Sequence, residues 1–101
     1  MKRYLLTDEA KADLSEIRRY LMRQAGAPVA KSTLKKIRDA FEFLSRTPGA
    51  GHVREDLSDD LVKFWSVFSY MIVYDPTTRP IEILRVIHGS REISAILSQD
   101  D

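Results

Sequence analysis

The residues best suited to handling a proton or an anion gather in the C-terminal half: Lys63, Arg85, His88 and Arg91, with His52 set apart. An imidazole titrates near neutrality, and a guanidinium clasps phosphate or carboxylate oxygens. His88 and Arg91, separated only by Gly89-Ser90, could therefore serve a proton and a phosphate. The alternative is structural: His88 bonds the backbone at a strand–helix corner, and Arg91 pairs with Glu92 or Asp56. Arg85 interrupts an apolar run, Ile83-Leu84-Arg85-Val86-Ile87. A buried unpaired charge is costly, so Arg85 must reach solvent or meet a carboxylate, on the open face of a sheet or at its rim. Lys63 is placed similarly. The two either form a basic patch or are taken up in ion pairs with Glu82, Asp56 or Asp75.

Several kinds of chemistry are missing. The chain has no cysteine, which removes disulfides, thiolate nucleophiles and zinc–thiolate sites. It has no Gly-x-Ser-x-Gly and no phosphate-cradling glycine loop. Neither His52 nor His88 has a second ligand at metal-binding spacing on one helix, so no metal and no other cofactor is expected.

These side chains must be positioned by short elements. Tyr4-Leu5-Leu6 reads as a brief strand, and Thr7 as the N-cap of a helix with Asp8 and Glu9 in its first turn. Ala10, Leu14, Ile17 and Leu21 follow at helical spacing, and Gly26 ends the helix. Pro28 suits the start of a second helix, with Ala30, Leu34, Ile37, Phe41 and Leu44 inward and Thr47-Pro48 as the stop. So short a connection demands an antiparallel helix hairpin. Residues 49–60 read as loop. Residues 61–68 and 70–74 are rich in Val, Ile and aromatics and read as strands joined by a tight turn. Asp75-Pro76-Thr77-Thr78-Arg79-Pro80 is a turn, residues 81–88 a last strand, and residues 91–97 a short helix. The order β-α-α-β-β-β predicts a single α+β domain over residues 1–101, with the helix hairpin on one face of an antiparallel sheet. The second face is then bare unless a partner or the C-terminal segment covers it. With Trp65 nearby, it would make a binding surface. For Trp65 itself a core or interface role is expected, because no basic–aromatic interleaving surrounds it.

Net charge is +1, but residues 1–50 carry 11 Lys/Arg and 6 Asp/Glu, whereas residues 51–101 carry 5 and 9. The overall charge is too low for a general nucleic-acid binder. The basic half, with Arg18, Arg19 and Arg23 on the first helix and Lys31, Lys35, Lys36 and Arg38 on the second, suits an acidic protein partner or is a solvated helix face. No signal peptide is evident, and no stretch approaches the ~20 apolar residues needed to span a bilayer. A soluble, cytoplasmic protein is expected.

Taken in order, the residues resemble the ParE branch of the RelE/ParE toxin superfamily over nearly the whole chain. The start carries Tyr4-x-Leu6-Thr7-x-x-Ala10-x-x-Asp13-Leu14-x-x-Ile17 and Tyr20. The middle carries Phe41, Leu44, Pro48, Gly51, Arg54, Asp56 and Leu57. The end carries Tyr70-x-Ile72-x-Tyr74 and Ile81-x-Ile83-x-Arg85-Val86-Ile87-His88-Gly89-x-Arg91. No single piece is diagnostic, but the ordered set in a chain of this length is specific.

The resemblance implies a toxin that a small ParD-like antitoxin wraps and neutralises. ParE-like members block DNA gyrase, stalling replication and growth and so stabilising plasmids. RelE-like members instead cut messenger RNA on the ribosome. By alignment with the latter, this chain keeps Lys63 and Arg91 but has Trp65, Met71 and Leu97 where a lysine, an arginine and a tyrosine would stand. Cleavage needs a base, an acid and cations for the phosphate, so this favours a non-enzymatic gyrase inhibitor. The alternatives are a ribonuclease using Lys63, Arg91 and His88, and an inactive member that only forms the complex and represses its own operon. Arg85, His88 and Arg91 are the residues expected to meet the target. Leu21, Arg23, Lys35, Arg38 and Trp65 are those expected to meet the antitoxin, on the helix hairpin and the sheet edge. Direct nucleic-acid binding is not expected outside the antitoxin complex.

Overall fold

The computed structural model of the chain describes residues 3–53 and 62–88. The elements are β1 (Tyr4–Leu6), α1 (Asp8–Gln24), α2 (Ala27–Arg46), a 3-10 turn at Pro48–Ala50, β2 (Lys63–Val67), β3 (Tyr70–Asp75) and β4 (Ile81–His88). This is the expected α+β order. The helix expected over residues 91–97, and with it Arg91, lies outside the described residues.

Thr7 starts α1 from an extended backbone and accepts the Ala10 N–H on its hydroxyl at 3.1 Å. The same hydroxyl donates to the Leu84 carbonyl at 2.8 Å, so one side chain caps the helix and fastens it to β4. Thr7→Ala should therefore cost about 1–2 kcal/mol, at the upper end for a cap. A urea titration reads this, and a loss below a few tenths would mean that water replaces both bonds. Gly26 takes the positive φ of 89° that the two-residue turn between the helices requires. Ala30, Leu34, Ile37, Phe41 and Leu44 form the buried stripe of α2 as expected, joined by Ala40.

The sheet order is β1-β4-β3-β2. The last three strands make the expected antiparallel meander, and β1 adds to its far side parallel to β4, with Tyr4 opposite Ile81 and Leu6 opposite Ile83. β2 runs over Lys63–Val67 rather than to Phe68. Phe68 and Ser69 form the two-residue turn instead, Phe68 with φ 55°.

A bulge interrupts the β3–β4 ladder, where Tyr74 faces Ile83 but Val73 faces Arg85. Leu84 is the extra residue. Strict alternation from Ile81 and Ile83 would aim residue 85 into the core. The bulge hands that inward place to Val86 and moves Arg85 out of it.

The sheet carries apolar clusters on both faces. Towards the helices lie Ile72, Tyr74, Ile81, Ile83 and Val86 with the stripes of α1 and α2. The other face, expected to be bare unless a partner or the C-terminal segment covered it, has Phe64, Val73 and Ile87 buried, flanked by Val62, Met71 and Leu84. Trp65 is not on that face. It packs on the helix side, 5.3 Å between ring centres from Phe43 of α2 and stacked at 6.4 Å on His52.

Tyr74 joins the sheet to the turn after α2. Its buried hydroxyl donates to the Pro48 carbonyl at 2.7 Å and accepts the Gly51 N–H at 2.9 Å. Burial raises the phenol above its usual pKa, against a smaller opposite effect of the Gly51 hydrogen bond. Tyr74→Phe leaves both backbone groups unpaired and should cost about 1–3 kcal/mol. It should also reduce the loss of stability expected as pH rises above about 10, where the unfolded phenol releases its proton first. Urea titrations at pH 7 and pH 10.5 test both effects. An unchanged pH dependence would mean that Tyr74 is not its source.

Candidate functional site

β1 ends after three residues, so among the described residues no strand neighbours the edge of β4 from Leu84 onward. Side chains of α1 take that place. Besides the Thr7 bond to Leu84, the Asp13 carboxylate accepts the Val86 N–H at 2.9 Å and holds Arg85 in a two-pronged pair, Nε at 2.8 Å and Nη2 at 3.1 Å. The side chains are 13 % (Asp13) and 23 % (Arg85) exposed, so the pair is shielded but not dry. Among the described residues the acid that meets Arg85 is thus Asp13 rather than Glu82 or Asp75, and Asp56 lies outside them. No ordinary strand-neighbour reading finds it, because 72 residues separate the two. One signal was available: Asp13 lies three residues after Ala10 and four before Ile17, on the buried side of α1.

Beyond this pair, α1 and the end of β4 enclose a groove of about 360 Å³. Glu16, Tyr20 and Arg23 line it from the helix; Tyr70, Ile87 and His88 line it from the sheet. His88 stands edge-on to Tyr70 at 5.3 Å. Two of the expected target-facing residues, Arg85 and His88, meet here. Arg85 has Nε and Nη2 committed to Asp13, which leaves His88 as the one at the end of the strand. Tyr20, Tyr70 and Glu16 were not anticipated from sequence, since each reads there as an ordinary helix or strand position.

Lys63 is elsewhere. It pairs with Tyr74 at one end of β3, whereas His88 pairs with Tyr70 at the other. Four residues and two strand spacings put them about 13 Å apart along the strands and about 10 Å apart across them. Tyr74, Ile72 and Val86 fill the core face between. The Lys63 ammonium points to the Gly51 carbonyl at 3.5 Å. Arg85, opposite Val73, is nearly level with Lys63 along the strands, but its guanidinium is held by Asp13 on the α1 side of the sheet while the Lys63 ammonium faces Gly51 two strands away, so these contacts do not join them in one basic patch.

A second, shallower groove runs between α2 and β2, lined by Lys36, Asp39, Ala40, Phe43, Trp65, Val67 and Phe68. Phe68 at the hairpin tip is 69 % exposed, and Phe43 is also exposed. Of the residues expected to meet an antitoxin, Trp65 lines this groove. Lys35 and Arg38 are exposed on α2 but do not line it: Lys35 makes a solvent-facing pair with Asp39 at 3.1 Å, and Arg38 lies on the side of Tyr4 in β1, the far edge of the sheet. Leu21 instead packs partly buried against the core, and Arg23 lies on α1 away from this groove. The described residues hold no cluster of three or more His, Asp or Glu fit for a metal ion, and no helix among them is long and apolar enough to cross a membrane.

Comparison with known proteins accords with this geometry. Residues 4–93 match the family model described as the ParE toxin of the type II toxin–antitoxin system, parDE. The chain is 32% identical over 97 residues to Toxin ParE1 of Caulobacter vibrioides, covering 96% of this chain and 99% of that protein. Its fold is similar to a chain of the chromosomal ParDE TA system from P. aeruginosa, with a TM-score of 0.71 at 20% identity over 84% of this chain and 92% of the other. With a family match across most of its length and a full-length relative, the chain belongs to the ParE toxin family of type II toxin–antitoxin systems.

Proposed function

We propose that this toxin acts by binding rather than by cutting RNA, that its target is DNA gyrase, and that a ParD-like antitoxin neutralises it in the cytoplasm. The observation that carries the reading is the separation of Lys63 from His88. Cleavage of a phosphodiester needs its acid, base and cation each within hydrogen-bond reach of the attacking, leaving and non-bridging oxygens of one phosphate. Here the lysine and the imidazole stand at opposite corners of the sheet with core between them. Membership of the ParE family supports gyrase as the target. The His88 end of the α1–β4 groove is the target-facing region in this reading.

For the antitoxin, the α2–β2 groove offers exposed aromatic anchors, Phe43 and Phe68, beside Trp65, with Lys36 in its wall and Lys35 next to it, paired with Asp39. An amphipathic segment with acids on its flank fits such a surface. Bound antitoxin should raise the stability of the toxin by mass action.

The test is controlled expression of the chain alone in a bacterial host, together with a supercoiling assay on purified gyrase. Growth arrest with filamentation, an induced DNA-damage response and inhibited supercoiling are expected. Arrest with discrete new 5′ ends inside codons, mapped by primer extension, would replace the reading with ribosome-dependent cleavage. No arrest would leave a complex-forming, autoregulatory role.

A further inference from the structure

The outer side of α1 is cationic. Lys11, Arg18, Arg19 and Arg23 are all exposed, with Ser15 and Met22 between them. At about 100° per residue the four cations fall within about 140° of the helix circumference. From Ala10 to Gln24 no carboxylate falls inside that arc; Asp8, in the first turn of α1, does, and Glu16 borders it on the Arg23 side. Asp13 is turned to Arg85, and Glu16 lines the groove towards β4. Among the described residues, no hydrogen bond or ion pair engages the four cationic heads. On α2, Lys35 and Arg46 each have an acid one turn away, Asp39 and Glu42, whereas Lys31, Lys36 and Arg38 have no ion pair among the described residues.

We propose that this face of α1 binds the phosphate backbone of duplex DNA. The overall charge of +1 argues against general nucleic-acid binding, but that sum includes acids that lie elsewhere in the sequence. Lys11 to Arg23 spans about 18 Å of helix, which corresponds to about five phosphates of one strand measured along the duplex axis. Phosphate contacts come from arginine and lysine and need no apolar anchor. A protein segment needs such anchors, and Met22 is the one exposed large apolar residue between the cations. The α2–β2 groove has those anchors and shares no residue with this face. Arg18, Arg19, Arg23 and Met22 also border a shallow depression with Ser15 in which a backbone phosphate can sit between two guanidinium groups. The proposal does not depend on gyrase being the target.

The experiment is a fluorescence-anisotropy titration of the full chain against a labelled 20-base-pair duplex of arbitrary sequence, at several salt concentrations from 50 to 200 mM. Four contacts give a log–log salt slope of about −3 to −4. Arg18→Gln, Arg19→Gln and Arg23→Gln together should weaken binding at least about tenfold at 50 mM salt and bring the slope to about −1. Lys35→Gln with Arg38→Gln on α2 should leave both nearly unchanged. All five positions are exposed, and a melting curve checks that each variant keeps the fold. The proposal is overturned if the triple variant binds like the parent chain, if the α2 variant loses as much, or if the parent chain does not bind at 50 mM salt. Displacement of the duplex by poly-glutamate as readily as by unlabelled duplex would also overturn it and assign the face to an acidic protein.

Discussion

Asp13→Ala should destabilise the toxin by about 2–4 kcal/mol, a large share of what a domain of this size has to spare. The carboxylate accepts three N–H groups, two from Arg85 and one from the Val86 backbone. Its removal takes from a shielded guanidinium the carboxylate that grips it through two bonds, and leaves a strand edge with an orphan donor. The partial exposure of Arg85 keeps the figure below that of a fully buried pair. Asp13→Asn keeps an acceptor for Val86 and should cost less. Replacing both partners, Asp13→Leu with Arg85→Met, should recover much of the loss, because no uncompensated charge remains. Urea unfolding of the four proteins, with unchanged m-values, measures this. A loss under 0.5 kcal/mol for Asp13→Ala, the range of an ordinary surface substitution, would show that solvent replaces the carboxylate and that the pair does not fix α1 to β4. Arg85→Ala confounds stability with target contact for the same reason, so His88→Ala is the cleaner probe of the target-facing end.

Gly51→Ala should be as damaging, although it adds one methyl group. A Cβ there would lie 2.5 Å from the Tyr74 Oη, 2.8 Å from its Cε1 and 3.0 Å from the Phe64 carbonyl oxygen. None of these neighbours is free to move. Tyr74 is fully buried with its hydroxyl tied to Pro48, and the Phe64 carbonyl accepts the His52 N–H at 2.8 Å. Overpacking of this kind costs about 1–3 kcal/mol, and the displaced hydroxyl adds to it by losing its bonds. Tyr74→Phe should not rescue the variant, because the ring carbon stays in the way. Thermal melting of the single and double variants decides the point. A Gly51→Ala protein that melts within a degree of the parent would mean that the turn after α2 shifts at little cost.

The helix hairpin was legible because its apolar residues repeat at helical spacing and the connecting glycine allows one tight turn. β1 was legible from three residues and the cap that follows them. The strand that holds Trp65 was harder. It alternates poorly because both sheet faces carry buried apolar clusters, so Phe64 on one side and Trp65 and Val67 on the other read alike. The bulge at Leu84 was hidden for a related reason: it shifts the inward positions from 81 and 83 to 86, and no glycine marks it. That shift decides the fate of Arg85, whose need for a carboxylate was evident while the identity of the acid was not. The site was legible in part. His88 and Arg85 could be named from residue type, but Tyr20 and Tyr70 join them only through the packing of α1 across β4.

The bond between Thr7 and Leu84 also bears on the order in which the molecule can be made. It links groups 77 residues apart, and the parallel pairing of Tyr4 with Ile81 has the same reach. A ribosome adding about 5–20 residues per second separates the synthesis of these partners by about 4–15 s. Throughout that interval α1 has no strand edge to lie against, and its Asp13 has no guanidinium to hold. The helix hairpin can fluctuate into shape, but the surface that carries His88 does not yet exist. In the proposed reading, in which His88 faces the target, that surface forms only after β4 has been synthesised and has closed against α1 and β1.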